Sequence, residues 1–119
     1  MKQIDVLGTK YTIMVKKYGE DEAFERRSIG GYCDGYVKNI VVCDMSTFKG
    51  WEHEPTGTAE NAQKLALRHE IVHAFLTESG LSDNSAEYCY GWANNEEMID
   101  WFAHQGAKIY AAWEAADAL

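Results

Sequence analysis

Residues 58–80 read TAENAQKLALRHEIVHAFLTESG, and this stretch decides the architecture. From Ala59 to Ser79 it contains neither proline nor glycine, so it reads as one uninterrupted helix. Thr58 is placed to cap its start, and Glu60 lies in the first turn, where the helix dipole favours negative charge. Gly80 stands where a helix ends. Leu65, His69, Val72, His73 and Leu76 share one face, while Leu67, Ile71, Ala74 and Phe75 lie on the other. Apolar residues on both sides predict a central, mostly buried helix.

The residues before this helix read as strands. Lys2–Leu7 and Lys10–Lys17 flank a Gly8-Thr9 turn signal, which predicts a β-hairpin. Tyr18–Arg27 is charged and reads as a short polar helix. Gly30-Gly31-Tyr32-Cys33-Asp34 reads as a short strand entered through a flexible corner, followed by an Asp34-Gly35 turn. Asn39–Cys43 is the most β-prone stretch, with three β-branched residues in a row. Residues 46–57 contain Gly50, Pro55 and Gly57 and read as a loop. Residues 81–93 read as irregular. Asn94-Asn95-Glu96-Glu97 then looks like a helix start, with Asn94 as cap and Glu97 three residues on. The last helix carries Met98, Phe102, Ile109 and Trp113 along one side, with an alanine-rich tail. Strands first and helices second predict a single α+β domain over 1–119, a small mixed or antiparallel sheet packed on the 58–79 helix.

Composition narrows the function. Eleven basic against nineteen acidic residues give a net charge of −8, which disfavours nucleic acid and anionic membranes as partners. No apolar run reaches the length of a membrane span, and Met1–Asp5 lacks the features of a secretory signal. Cys33, Cys43 and Cys89 show no paired metal-ligand spacing and are odd in number. Reduced thiols in a cytoplasmic protein are the expectation, although Cys33 and Cys43 could face each other across paired strands.

The chemistry lies in His69-Glu70-Ile71-Val72-His73. On a helix, residues i and i+4 sit one above the other, so His69 and His73 can address one ion. Zinc accepts neutral imidazole and prefers four tetrahedral ligands. Glu70 is turned about 100° from His69 and falls beside the metal, where it can take a proton from bound water. Two histidines on an apolar stripe with no ligand would each need buried hydrogen-bond partners. A catalytic zinc needs a third protein ligand and one open position. The extended HExxHxxGxxH pattern is absent, since Leu76 and Ser79 occupy its glycine and third histidine positions. Further along the chain stands Asn95-Glu96-Glu97-Met98-Ile99-Asp100.

HExxH joined to a later NExxxD resembles the gluzincin zinc metallopeptidases. The resemblance implies that Glu96 is the third ligand and that Asp100 holds His69 by a hydrogen bond. Independently of it, Glu96 and Asp100 are i,i+4 and share a face, and a ligating histidine usually gives its other N–H to a carboxylate. Glu97 is the alternative ligand. A narrower likeness is to small bacterial and phage-borne zincins of the ImmA/IrrE type. There a Glu is followed by a helix reading ExxANxFA; here Glu96–Ala103 reads EEMIDWFA, matching Phe102-Ala103 but with Asp100 for Asn and Ile99 for Ala. The chain also looks like phage-type proteins with a Gly-Tyr-Cys-Asp strand, and the resemblance spans roughly residues 30–104.

A zincin-like fold implies that the strand before the metal helix lies at a sheet edge and pairs with an extended substrate; Ile40–Cys43 is the candidate here, and an ordinary core strand is the equal alternative. Amide hydrolysis also calls for a transition-state stabiliser, for which His104, Tyr88, Tyr90 and His53 are candidates. Trp51, Trp92, Trp101 and Trp113 read as core or loop anchors. The leading expectation is a cytoplasmic zinc metallopeptidase: His69, His73 and Glu96 hold Zn2+, and Glu70 activates the zinc-bound water that attacks a peptide bond. Its partner is then a peptide or protein substrate. In so short a chain, specificity falls to loops 46–57 and 81–93 or to a partner. The rivals are a non-catalytic zinc-stabilised interaction module of phage or mobile-element origin, and a zinc hydrolase acting on a non-peptide amide.

Overall fold

The computed structural model describes residues 1–81 and 91–119. Strands β1 (Lys2–Val6) and β2 (Thr9–Lys17) form the expected hairpin, antiparallel with Ile4 opposite Tyr11. Its two-residue turn is Leu7-Gly8, both at positive φ (52° and 89°), the backbone twist that tight hairpins require. A single 3-10 turn (Tyr18–Glu20) and a one-turn helix α1 (Ala23–Arg26) come next. This segment is less polar than its sequence suggests. Ala23 and Phe24 are buried, and Phe24 packs with Val41, Cys43 and Met45 on one face of the sheet.

Strand β3 (Gly31–Asp34) pairs antiparallel with β4 (Asn39–Asp44), which in turn pairs parallel with β2. The spatial order is β1-β2-β4-β3, a mixed four-stranded sheet. Parallel neighbours need a long connection, and residues 18–38 supply it. The strand order decides between the two readings of Ile40–Cys43 against the edge strand: it runs inside the sheet, and the edges are β1 and β3. Ile40, Val41, Val42 and Cys43 are all buried, as suits a β-branched run covered on both faces. The register also separates the two thiols. Cys33 lies opposite Ile40 and shares its face, whereas Cys43 alternates to the other. Both cysteines are free.

Helix α2 (Thr58–Glu78) crosses the face formed by Val6, Tyr11, Ile13 and Ile40, with Leu67, Ile71 and Ala74 packed against them. Thr58 is its first helical residue rather than its cap; Gly57, at φ 92°, takes that place. At the far end Gly80, at φ 77°, donates to Thr77 O and Leu81 N–H to Leu76 O, the paired bonds of a glycine-terminated helix. Only Glu70, Ala74 and Leu76 of α2 are buried. The helix is central, but it is half-buried along most of its length because one flank lines an open cleft.

Helix α3 (Glu96–Ala115) is preceded by a 3-10 turn at Trp92–Asn94. Its cap is Asn95, one residue later than the sequence suggests: Asn95 Oδ1 accepts Met98 N–H at 2.9 Å. Three residues beyond Asn95 stands Met98, which has no carboxylate to close a capping box. The buried residues of α3 are Ile99 and Ala103, with Ile99 packed against Leu76 and Ala93; of the expected Met98, Phe102, Ile109 and Trp113 line, Met98 packs half-buried against the same cluster. Phe102 and Trp113 are exposed, as are Trp92 and Trp101; Trp51 alone of the four tryptophans anchors a cluster, edge-on to Phe48. Among the described residues no helix is long and apolar enough to cross a membrane.

Candidate metal centre and its cleft

α2 and α3 bring five of the expected site residues together. His69 Nε2 and His73 Nε2 are 3.1 Å apart. The Glu96 carboxylate closes on both, with Oε2 3.1 Å from His69 Nε2 and Oε1 3.2 Å from His73 Nε2. Asp100 Oδ1 lies 2.6 Å from His69 Nδ1. A carboxylate oxygen can only accept, so His69 Nδ1 carries the hydrogen, and in the neutral ring Nε2 is a bare lone pair facing the cluster. Burial pushes the His73 pKa below its usual value, which keeps a second neutral imidazole there.

Local sequence explains the convergence. The i,i+4 spacing aligns the two rings on α2, and the same spacing aligns Glu96 with Asp100 on α3. The depth of α3 is set by buried Ile99, and its alignment by Arg68, whose Nε donates to Ala103 O at 2.6 Å. Glu97 is exposed on the same turn as Glu96.

The donor set fits a metal. His69, Glu70 and His73 each offer a ligand atom within 4.8 Å of one another and could hold an ion. Glu70 is the outlier of these, with Oε1 4.0 Å from His69 Nε2. Atoms bound tetrahedrally to one zinc at 2.0–2.1 Å lie about 3.3 Å apart. The His69, His73 and Glu96 separations are close to that edge, and the Glu70 distance exceeds it.

Glu70 is the one buried charged residue among the described positions. Burial, opposed by the His69 ring and reinforced by Glu96, pushes its pKa up to about 7. Its place depends on Gly31. A Cβ on Gly31 would stand 2.9 Å from Val41 O, 3.1 Å from Val42 Cγ1 and 3.3 Å from Glu70 Cγ. The Gly-Gly pair at 30–31 is the sequence signal for this close approach, beyond the flexible corner it suggests.

Two cavities flank the cluster. One, of about 800 Å³, runs between α1, β3 and α2 and is lined by Arg27, Tyr32, His69, Glu70, His73 and Glu96 among others. The second, of about 390 Å³, lies on the α3 side, where Ile29, Met45, Ala62, Leu65 and Ala66 give it an apolar wall beside His69 and Asp100. His104 and His53 are exposed and line neither. Tyr88 and Tyr90 lie outside the described residues. No metal or catalytic motif marks Arg27 or Tyr32 in the sequence, and only the fold brings α1 to the cleft. Comparisons of the chain with protein-family models, with curated proteins and with solved structures returned no match.

Proposed function

We propose that the protein is a zinc-dependent peptidase of the gluzincin kind. The observation that carries this reading is the Glu96 carboxylate bridging the Nε2 atoms of His69 and His73 while Asp100 fixes His69 from behind. His69, His73 and Glu96 would hold the zinc, which when bound supplies a Lewis acid that acidifies water and polarises a carbonyl. Glu70, with its pKa near neutrality, can accept a proton from water and return it to a leaving amine. Asp100 holds the His69 tautomer. Strand β3, one of the sheet's two edges, borders the same cleft, and among the described strands none pairs with its outer side, which suits an extended peptide laid beside Glu70. The apolar recess on the α3 side suits a substrate side chain.

The experiment pairs elemental analysis with Glu70→Gln. Purified protein should contain about one zinc per chain, by the three-ligand argument. Digestion of a denatured proteome by the wild type should yield new termini, and Glu70→Gln should keep the zinc and lose them. Zinc without hydrolysis would favour the interaction module instead. Products from amides other than peptides would redirect the substrate class.

A further inference from the structure

Arg27 is a cation in the cleft that forms no ion pair with the metal-site cluster among the described residues, although its charge reaches Glu70. It closes α1 at the corner leading to β3, and Ser28 after it has a positive φ of 52°, so the backbone turns sharply there. Its guanidinium lies 6.0 Å from the centre of the Tyr32 ring. That ring is itself fixed: Tyr32 Oη donates to Asp21 Oδ2 at 2.6 Å. Asp21 is fully engaged, also accepting Ala23 N–H at 3.0 Å and Lys16 Nζ at 3.4 Å. Neighbouring Arg26 pairs with Glu22 at 4.0 Å, and Asp34 accepts the N–H groups of Tyr36 and Val37. Among the described residues no carboxylate is ion-paired with Arg27.

We propose that Arg27 binds a carboxylate of the substrate, so that the peptides taken are acidic where they pass the α1–β3 corner. This rests on the peptidase reading. The same 800 Å³ cavity is lined by Arg27, by all of β3 and by His69, Glu70, His73 and Glu96. A chain laid along β3 over Glu70 therefore passes the guanidinium. Arginine's planar fork matches a carboxylate in two parallel hydrogen bonds, and an aromatic platform beneath it reduces the freedom lost on binding. Asp21 and Asp34 are held by their own hydrogen bonds and Glu22 faces Arg26, so none of the three is ion-paired with Arg27, which leaves it available to an incoming carboxylate. With a net charge of −8 the rest of the molecule repels acidic ligands, so the preference is local to this corner. The carboxylate comes from an Asp or Glu side chain or from the peptide's own C-terminus.

The test uses zinc-loaded full-length protein and N-acetylated hexapeptide libraries. One arm compares C-terminal acids with C-terminal amides; the other compares Asp/Glu with Asn/Gln at each position. The wild type should favour one arm's carboxylate form by about ten-fold in kcat/KM. Arg27→Gln should bring that ratio close to one, chiefly through KM, and Arg27→Lys should retain part of it. Dissociation constants measured in the Glu70→Gln background should show the same preference without turnover. Equal handling of both forms by the wild type, a preference that survives Arg27→Gln, or a fall in kcat alike for acidic and neutral peptides would overturn the proposal. Hydrolysis without charge preference sinks it and leaves the peptidase reading standing. Arg27-dependent binding without hydrolysis does the reverse, and neither binding nor hydrolysis removes both.

Discussion

Asp100 reaches the candidate metal site through the His69 side chain. Its oxygen is 2.6 Å from His69 Nδ1, whereas only its charge bears on His73, so its loss should act chiefly on the His69 imidazole. Asp100→Asn offers either an amide oxygen or an amide N–H to the ring, and the second choice turns the tautomer over. Zinc affinity, measured by competition with a chromogenic chelator, should fall by about 10- to 100-fold, as outer partners of metal ligands generally cost. An unchanged affinity would mean that Asp100 is only a favourable charge near the start of α3. Gly31 is a second single-residue dependency. A methyl at this position meets backbone, Val41 O at 2.9 Å, which cannot rotate away. Gly31→Ala should therefore destabilise the protein by about 1–3 kcal/mol in denaturant titration, with Glu70 displaced. A stability loss below the error of that titration would show that β3 shifts freely.

At the scale of elements, the site depends on how α3 sits against α2. Ile99 is fully buried between Leu76 and Ala93, and it lies between Glu96 and Asp100 in the sequence, so the residue that seats the helix also sets both carboxylates. Ile99→Ala should cost about 2–5 kcal/mol and weaken zinc binding with it, whereas Ile99→Val should cost about 0.5–1.5 kcal/mol. Zinc affinity unaffected by Ile99→Ala would mean that the carboxylates are placed by the Asn95 cap and the Arg68–Ala103 bond instead. This coupling also shows what can be read from sequence. The i,i+4 pairs His69/His73 and Glu96/Asp100 are local geometry, and local geometry is legible. Which strand becomes the edge is not local. Ile40–Cys43 and Gly31–Asp34 are both short and β-prone, and the sheet order depends on β4 pairing in parallel with β2, a contact between distant residues. The cap of α3 falls one residue later than the sequence suggests; Asn94 and Asn95 offer the same chemistry, so residue type alone does not choose between them. Arg27 is silent in the sequence for the same reason as the β3 edge: its meaning lies in the cleft, which no stretch of sequence contains.

For the whole molecule, the charges that the fold displaces from their usual pKa values make stability depend on pH in opposite directions. Glu78 accepts from Tyr11 Oη at 2.7 Å and pairs with Lys38 Nζ at 2.8 Å, tying the end of α2 to the sheet. The Lys38 bond, then the Tyr11 bond, lower its pKa from 4.5 to about 2. A lowered carboxylate stabilises the fold above its unfolded pKa, and that contribution is lost as pH falls through the folded one. Glu78→Gln should thus lower Tm at neutral pH and converge on the wild type as the pH approaches 2. Glu70 has the opposite sign. Its pKa is raised from 4.5 to about 7 by burial, so the neutral form is favoured in the fold and ionisation destabilises it as pH climbs between those values. The full shift corresponds to about 3 kcal/mol in the metal-free protein. His73, held neutral by burial, contributes a slope of the other sign near its usual 6.5, so the wild-type curve alone does not isolate Glu70. The difference between Glu70→Gln and wild type does, since His73 is common to both. Melting curves of chelator-treated protein should show that difference growing in favour of Glu70→Gln from pH 4.5 to pH 7 and flattening beyond. A difference independent of pH would mean that burial does not raise the Glu70 pKa in the metal-free protein.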